Sequence, residues 1–424
     1  MPAKITAPRG TQDVIPPDSA RWQALEAAIH ALARRFGYGE IRTPIFEATE
    51  LFVRGVGETT DIVEKEMYTF VDKGGRSMTL RPEWTAPVVR AMLEHHLVGA
   101  EPQRLYYVGP IFRYERPQKG RLRQAHQFGV ECVGFADAQA DAEVISLAWE
   151  LVRSHGITDA TLKINSIGDD ACRPRYRQAL LEHFSASLDS LSDDARRRIE
   201  RNPLRLLDSK EERDAPFVAS APRLDEHLCD ACRSHFDALR RALDALSIPY
   251  ALDSRIVRGL DYYTRTVFEI ESGALGAQSA VCGGGRYDGL IASLGGPSVP
   301  AVGFALGIER FLMVVEATRA SAVPARDGVQ AIALGERARA TLLPIVAEIR
   351  RLGMPAFMDY GDRKLLAQLK IADRNNARFA LVVGSEEIAH AEAVLRDLGK
   401  RTDERLALQE ARVVAAAVVE ALQR

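Results

Sequence analysis

Between Arg255 and Glu269 the chain reads Arg-Ile-Val-Arg-Gly-Leu-Asp-Tyr-Tyr-Thr-Arg-Thr-Val-Phe-Glu. The six residues from Arg258 to Tyr263 hold a guanidinium, the Asp261 carboxylate and the adjacent phenols of Tyr262 and Tyr263. An apolar run follows and predicts a strand from Thr264 to Ile270. A strand that only fills a core has no use for such polar density. A pocket that reads a small polar ring and steadies negative charge in a transition state does.

A second concentration of charge lies upstream. Two extended runs, Leu105–Glu115 and Gln124–Phe135, flank the turn-forming Arg-Pro-Gln-Lys-Gly and predict a long antiparallel hairpin. Alternation puts Arg113 and Glu115 on one face of their strand, and Ala125, Gln127 and Glu131 on one face of theirs. The turn carries Arg116, Lys119, Arg121 and Arg123. A basic turn is ordinarily a solvated loop. Arg113, however, is predicted inside an apolar strand, where an unpaired guanidinium is costly, so it needs an anion: Glu115 or a ligand. The planar fork of arginine suits bidentate phosphate binding.

The elements that must position these groups can be read from periodicity. Trp22, Leu25, Ile29, Leu32 and Phe36 recur at spacings of three and four, predicting a helix from Asp18, as N-cap, to the stop at Gly37. Ile41–Phe46, interrupted by Pro44, predicts a short or edge strand. Ala301–Leu306 predicts a strand leading through a glycine turn into a helix, Gly307–Val315. Strands dominate the core of the first 320 residues, which predicts an α+β domain built on an antiparallel sheet. Pro174–Leu246 has helical spacing and almost no strand signal, so it reads as a helical insertion. Ala317–Asp327 is the predicted linker. Beyond it, apolar strands Val329–Leu334, Ala356–Met358 and Phe379–Val383 alternate with helices near Ala338–Leu352, Lys364–Asn376 and Gln409–Leu422. That alternation predicts a separate small α/β domain with a largely parallel sheet.

Composition sets the outer bounds. At 424 residues there is room for two or three domains, each with its own core. Hydrophobic residues at 46% and charged residues at 27% are ordinary for a globular chain. No apolar run approaches the roughly 20 residues that span a bilayer. The N-terminus, Met-Pro-Ala-Lys-Ile-Thr-Ala-Pro-Arg-Gly, has no signal-peptide core, so a cytoplasmic address and no membrane are expected. The net charge of −2 offers no bulk attraction to nucleic acid; any RNA contact must be local. Five cysteines predict reduced thiols, not a disulfide framework.

Three segments, Gly37–Pro44, Phe112-Arg113-Tyr114-Glu115 and Gly303–Arg310, resemble in order and spacing motifs 1, 2 and 3 of the class II aminoacyl-tRNA synthetases. Arg258–Tyr263 resembles the histidine-specific motif of the histidyl-tRNA synthetases. The likeness covers nearly the whole chain and extends to Arg81-Pro82-Glu83, Arg116–Arg121 and Cys282–Gly289. It implies a class II catalytic domain over residues 1–324, with the helical insertion at about 174–246, and an α/β anticodon-binding domain over 325–424. The implied activity joins L-histidine to ATP as histidyl-adenylate and then to the 3′ end of tRNA(His). Mg²⁺ is the implied cofactor, and the motif 1 segment implies a homodimer.

The resemblance carries roles residue by residue. Arg113 resembles the motif 2 arginine that holds the α-phosphate beside the bound histidine, and Arg310 the motif 3 arginine flanking the adenine and γ-phosphate. Glu115 matches the carboxylate near the adenine edge, and Arg121 a loop residue near the γ-phosphate. Glu83, Trp84 and Thr85 fall where the family grips the α-amino group of histidine, with Gln127 lining that pocket. Glu131 and Tyr263, with Tyr262 and Tyr287 nearby, fall where the imidazole is read. Arg258 corresponds to the family's distinctive catalytic arginine, acting with Arg113. The implied chemistry suits these residue types: a carboxylate attacking phosphorus needs no general base, only cations and positioning around growing negative charge.

Two features stand apart from that pattern. Most relatives have glycine where this chain has Trp84, and an adenine-stacking phenylalanine where it has Ala125. Either ATP binding leans on Arg310, or Trp84 fills the vacated space, the reading favoured here: strand alternation, pointing Trp84 away from Glu83 and Thr85, opposes it, but a segment that follows a proline need not be regular. Cys229-Asp-Ala-Cys232, with His227 and His235 close by, has the spacing of half a zinc site. Its partner pair is missing, because Cys132, Cys172 and Cys282 lie in other elements, so thiols on a surface helix and no protein-held metal are expected. Gly283–Gly285 lacks the Lys-Ser/Thr of a P-loop and predicts close backbone approach to the bound amino acid. Two rival readings remain: a regulatory subunit of ATP phosphoribosyltransferase built on the same fold, and a class II synthetase of the threonyl, prolyl or glycyl type. The presence of residues 325–424 and of both arginines opposes the first. Arg258–Tyr263 opposes the second.

Overall fold

In the computed structural model of the chain, residues 4–58, 60–99, 101–116, 120–201, 203–209, 211–256, 260–275, 280–318 and 326–423 are described. Arg258, Lys119 and most of the predicted linker lie outside them. The chain divides into two compact units, Met1–Ala320 and Ser321–Arg424.

The first helix, Asp18–Arg35, buries Leu25, Ile29, Leu32 and Ala33, the stripe its spacing predicts. Asp18 is its first residue and not its cap: Pro17 holds the cap position, and no side chain bonds the helix end. Gly37, at φ +77°, turns the chain out of the helix, a conformation cheap only for glycine. The predicted Ile41–Phe46 strand is split. Gly39–Glu40 (β1) pairs parallel with the hairpin at Leu105 and Tyr106. Phe46–Ala48 (β2) joins a different, three-stranded sheet with Tyr68–Val71 (β3) and Ser77–Leu80 (β4).

The site rests on an eight-stranded sheet. Its further strands are β5 (Gln103–Phe112), β6 (Gln124–Val133), β7 (Thr161–Ser166), β8 (Tyr250–Leu252), β9 (Thr264–Glu271), β10 (Ala280–Arg286) and β11 (Ala301–Gly307). The order is β1-β5-β6-β11-β10-β9-β7-β8. The six inner strands are antiparallel as expected, but the outermost pairs, β1 with β5 and β7 with β8, are parallel, so the sheet is mixed. The β5–β6 hairpin pairs Phe112 with Gln124 through to Gln103 with Val133. Arg113 and Glu115 therefore lie beyond the strand and not inside it. The ladder continues for one step, from Arg113 N–H to the Arg123 carbonyl, before Tyr114 N–H turns aside to Glu66. Helices Asp18–Arg35 and Ala138–Ser154 pack a cluster including Ile29, Ile145, Phe128, Phe268 and Phe304.

Among the described residues 173–245 form helices and turns, the predicted insertion, ending in the helix Asp230–Ala245. In the second unit the strand order is Ala356–Met358 (β13), Val329–Ala333 (β12), Phe379–Val383 (β14), Glu392–Asp397 (β15) and Thr402–Ala407 (β16). The last two form an antiparallel hairpin that sequence analysis missed, so the sheet is half parallel instead of largely so. Only Ala393, Leu395 and Asp397 of β15 are buried, and no residue of β16 is, which leaves no apolar run to find.

A buried ion pair joins the insertion to the sheet. Asp141 and Arg286 are both fully inaccessible, and the guanidinium donates to Asp141, to the Phe135 carbonyl at 2.9 Å and to Asp288 at 3.1 Å. His235 Nε2, on the last insertion helix, and Thr266 Oγ1 also reach Asp141 Oδ2, at 2.6 and 2.7 Å. Removing one partner strands the other charge. Asp141→Ala should therefore cost about 3–5 kcal/mol, read as a lowered urea midpoint of the catalytic unit; a loss under 1 kcal/mol would show that water takes the carboxylate's place.

Candidate active site

Glu131, 1% exposed, is the centre of a buried polar cluster. Its strand alternation turns it to the same face as Gln127 and Ala125, and Gly303 on β11 makes the room: a Cβ there would lie 2.1 Å from Glu131 Oε2. The carboxylate accepts Thr85 Oγ1 at 2.8 Å, Tyr107 OH at 3.2 Å and the Tyr287 hydroxyl. Burial pushes its pKa up to about 8, against the opposing pull of those hydroxyls, led by Tyr287 and Thr85. Burial, with the Glu131 carboxylate beside them, also holds Tyr107 and Tyr287 well above the usual phenol range, so both remain donors. Tyr262 packs between Tyr263 (ring centroids 4.7 Å apart) and Tyr287 (5.6 Å), closing the wall predicted from the Arg258–Tyr263 segment.

Glu83 sits beside this cluster and starts the helix Thr85–Glu94. Its two oxygens accept the backbone N–H groups of Thr85 and Ala86, each at 2.8 Å, and burial raises its pKa. Trp84 precedes the helix in a helical conformation (φ −106°, ψ −28°), so strand alternation does not govern it. The indole lies parallel to Tyr107 with centroids 4.6 Å apart, under the Arg81 guanidinium at 3.4 Å. It covers Gly109, where a Cβ would come within 2.9 Å of it, on the hairpin face that also carries Ala125. Arg81 itself is committed to the carbonyls of Pro110, Thr43 and Pro44.

The far end of the same hairpin face is cationic. Arg113 Nε donates to the Pro82 carbonyl at 2.8 Å, with Nη1 3.9 Å from Glu115 Oε1. Arg121 lies 3.3 Å from the other Glu115 oxygen. Burial lowers the pKa of Arg310, and the Arg121 charge lowers it further. Arg113 and Arg121 thus flank Glu115, with Arg310 near enough to feel both Arg121 and Glu115, a grouping of guanidinium forks suited to phosphate. Glu309 accepts from His126 N–H at 3.0 Å and lies 2.9 Å from His126 Nδ1, tying β6 to the helix that carries Arg310.

Tyr107, His126 and Glu309 were missed from sequence. For Tyr107 the signal was present: it pairs with Gly129 in a register that puts it on the Glu131 face. Gln127 lies on that face, half-buried, between the two ends. At Gly284 and Gly285 the sheet supplies its own reason for glycine. A Cβ there would meet Gly303 O at 2.2 Å and Thr266 O at 2.4 Å, so sheet neighbours account for the need. The cysteine expectation also changes, since Cys232 is buried and Cys172 lies against it.

A buried polar cluster and a group of arginines thus lie on one sheet, in a chain with a second α/β unit. A histidyl-tRNA synthetase family model matches residues 10–311, and an anticodon binding domain model matches residues 329–416. Histidine–tRNA ligase of Desulforudis audaxviator is 50% identical over 421 residues, 99% of each chain, and that of Geobacillus thermodenitrificans is 50% identical over 404, 93% of this chain and 95% of its own. The crystal structure of apo S. aureus histidyl-tRNA synthetase superposes with a TM-score of 0.80 at 36% identity, covering 99% of this chain and 100% of that one. The chain belongs to the histidyl-tRNA synthetase family. A Bacillus halodurans structure titled as an ATP phosphoribosyltransferase regulatory subunit/histidyl-tRNA synthetase shares the fold at 21% identity.

Two outcomes follow. Because the folded Glu131 carboxyl binds a proton more tightly than the unfolded one, the empty enzyme loses stability as pH rises from about 4.5 to about 8. Glu131→Gln abolishes that titration, so its Tm relative to wild type should climb by several degrees between pH 5 and pH 8.5; a constant difference would mean Glu131 is already ionised. For Trp84 and Ala125, a double-mutant cycle of Trp84→Gly with Ala125→Phe on ATP affinity should show coupling above 0.5 kcal/mol. Strict additivity would make the two sites independent.

Proposed function

We propose that the chain activates L-histidine with ATP and passes it to the 3′ end of tRNA(His), with roles divided along the β5–β6 face. Support comes above all from one observation: Glu131, held by three hydroxyls, shares the hairpin face with the arginines past its end, and Arg113 reaches back to the Pro82 carbonyl beside Glu83. At the Glu131 end, that carboxylate with Tyr263, Tyr262 and Tyr287 reads the imidazole, while Glu83, Thr85 and Gln127, with Trp84 behind them, hold the α-amino side. At the other end Arg113 holds the α-phosphate, and Glu115, Arg121 and Arg310 hold the rest of ATP. Arg258, outside the described residues, takes the second charge on the α-phosphate by its motif. Magnesium supplies neutralisation of the outer phosphates. Burial and the nearby Glu115 raise the pKa of Glu66, and this adjacent pair offers the hard oxygens that ion prefers.

In the first step a histidine carboxylate oxygen attacks the α-phosphorus and pyrophosphate leaves. The arginines bind the developing charge more tightly than the ground state, which is where rate is gained. In the second step a ribose hydroxyl of the terminal tRNA adenosine takes the histidyl group and AMP leaves. We place the catalytic domain at 1–324 and an anticodon-binding domain at 325–424. No helix among the described residues is long and apolar enough to cross a membrane; a cytoplasmic setting is proposed from the resemblance to enzymes of tRNA charging. The exposed Ile45, Phe46, Phe70 and Val71 beside the motif 1 segment support a homodimer.

Pyrophosphate exchange tests the reading. Exchange should require histidine among all amino acids tried, and Arg258→Ala should lower its kcat by about 10²–10³. No exchange with any amino acid would favour a regulatory role, and a raised histidine KM at unchanged kcat would remove Arg258 from the transition state.

A further inference from the structure

Outside the active site, one cluster of reactive side chains has no part in the chemistry above. Asp169, Cys172, Cys229 and Cys232 each present one ligand atom, and all four atoms lie within 4.8 Å of one another. Cys172 Sγ is 3.7 Å from Cys232 Sγ and 3.5 Å from Asp169 Oδ1, and Cys229 Sγ is 3.8 Å from the same oxygen. A zinc–sulfur bond of about 2.3 Å puts the sulfurs of a tetrahedral site about 3.8 Å apart. The spacing is therefore that of an assembled coordination shell. The half-site Cys-x-x-Cys at 229–232 does have a partner pair, Asp-x-x-Cys at 169–172, which a search for cysteines alone passes over.

The surroundings are built to the same end. Gly168, at φ +65°, leaves the space: a Cβ there would lie 2.5 Å from Cys172 Sγ. The Asp169 backbone N–H donates to Cys172 Sγ at 3.2 Å, stabilising a thiolate. Cys172 and Cys229 occupy the N-cap positions of the helices Arg173–Ser185 and Asp230–Ala245, whose positive ends favour negative sulfur. Asp169 divides its oxygens: Oδ1 faces the sulfurs, while Oδ2 accepts from Arg265 at 3.3 Å. That outer bond orients the carboxylate. The two histidines nearest in sequence are engaged elsewhere, His235 on Asp141 and His227 against the Tyr176 ring.

We propose that Asp169, Cys172, Cys229 and Cys232 bind one zinc ion, a structural site with all four positions filled by protein. Three thiolates and a carboxylate select zinc over magnesium or calcium, and the absence of an open position argues against a catalytic metal. Binding sends the thiol protons to solvent. The ion ties the first and last helices of the insertion to the Gly168–Cys172 loop. Backbone bonds from Arg265 N to Gly168 O (2.6 Å) and from Ile167 N to Arg265 O (2.7 Å) connect that loop to the start of β9, directly after Tyr263.

The full-length enzyme, purified without chelators, should carry one zinc per chain by plasma mass spectrometry. Cobalt exchanged into it should give the intense visible bands of tetrahedral thiolate coordination. Cys229→Ser, at the half-buried position, and Asp169→Asn should each lower zinc content at least tenfold, while His227→Asn keeps it. If Cys229→Ser fails to fold, Asp169→Asn and the wild-type cobalt spectrum decide. Trace metal with five free thiols, a Cys172–Cys232 disulfide by peptide mapping, or full zinc retained in both ligand variants would overturn the site.

Discussion

The buried carboxylate of Asp141 is the contact on which the catalytic unit depends. It accepts from Arg286, His235 and Thr266, groups on a sheet strand, an insertion helix and a second strand. An ion pair without access to water is tolerable only when every partner is in place. Its geometry therefore fixes the helix Ala138–Ser154, the last insertion helix and strands β9 and β10 relative to one another. Arg286 also holds the Phe135 carbonyl, just beyond the strand that carries Glu131, and it immediately precedes Tyr287. The hydrogen bond from Tyr287 to Glu131 is thus set by a charge pair behind it.

On that frame the β5–β6 hairpin displays two opposite environments. At one end burial has driven a carboxyl toward neutrality and surrounded it with hydroxyls, an arrangement suited to reading hydrogen bonds on a small ring. At the other, Arg113 and Arg121 flank Glu115 with Arg310 and Glu66 close by, a charged environment open to phosphate. A buried carboxyl held near neutrality is away from its electrostatic optimum, and a ligand that donates to it would turn that withheld stability into binding.

Trp84 shows how a departure from the family pattern is absorbed. Where the family pattern read from the sequence has glycine, this chain has a large indole, and the ring is accommodated because Gly109 lies beneath it, Tyr107 stacks on it and Arg81 caps it. The indole belongs to the hairpin face that Ala125 leaves bare.

Read alone, the sequence determined what depends on local order. Helical periodicity located Asp18–Arg35, alternation located the hairpin and put Gln127 and Glu131 on one face, and motif spacing singled out Thr85, Glu131, Tyr262 and Tyr287, which the fold brings together. It erred where an element's fate depends on distant neighbours. Ile41–Phe46 divides between two sheets, Arg113 falls past the strand end, and the β15–β16 hairpin is too polar to announce itself. Only the tertiary structure decided who meets whom across long stretches of chain. Tyr107 reaches Glu131, His126 reaches Glu309, and Cys172 comes to rest against Cys232, sixty residues away. The cysteine cluster marks the limit most clearly: coordination is a property of points within a few ångströms, and a linear spacing rule sees only the pairs that one turn of chain brings together.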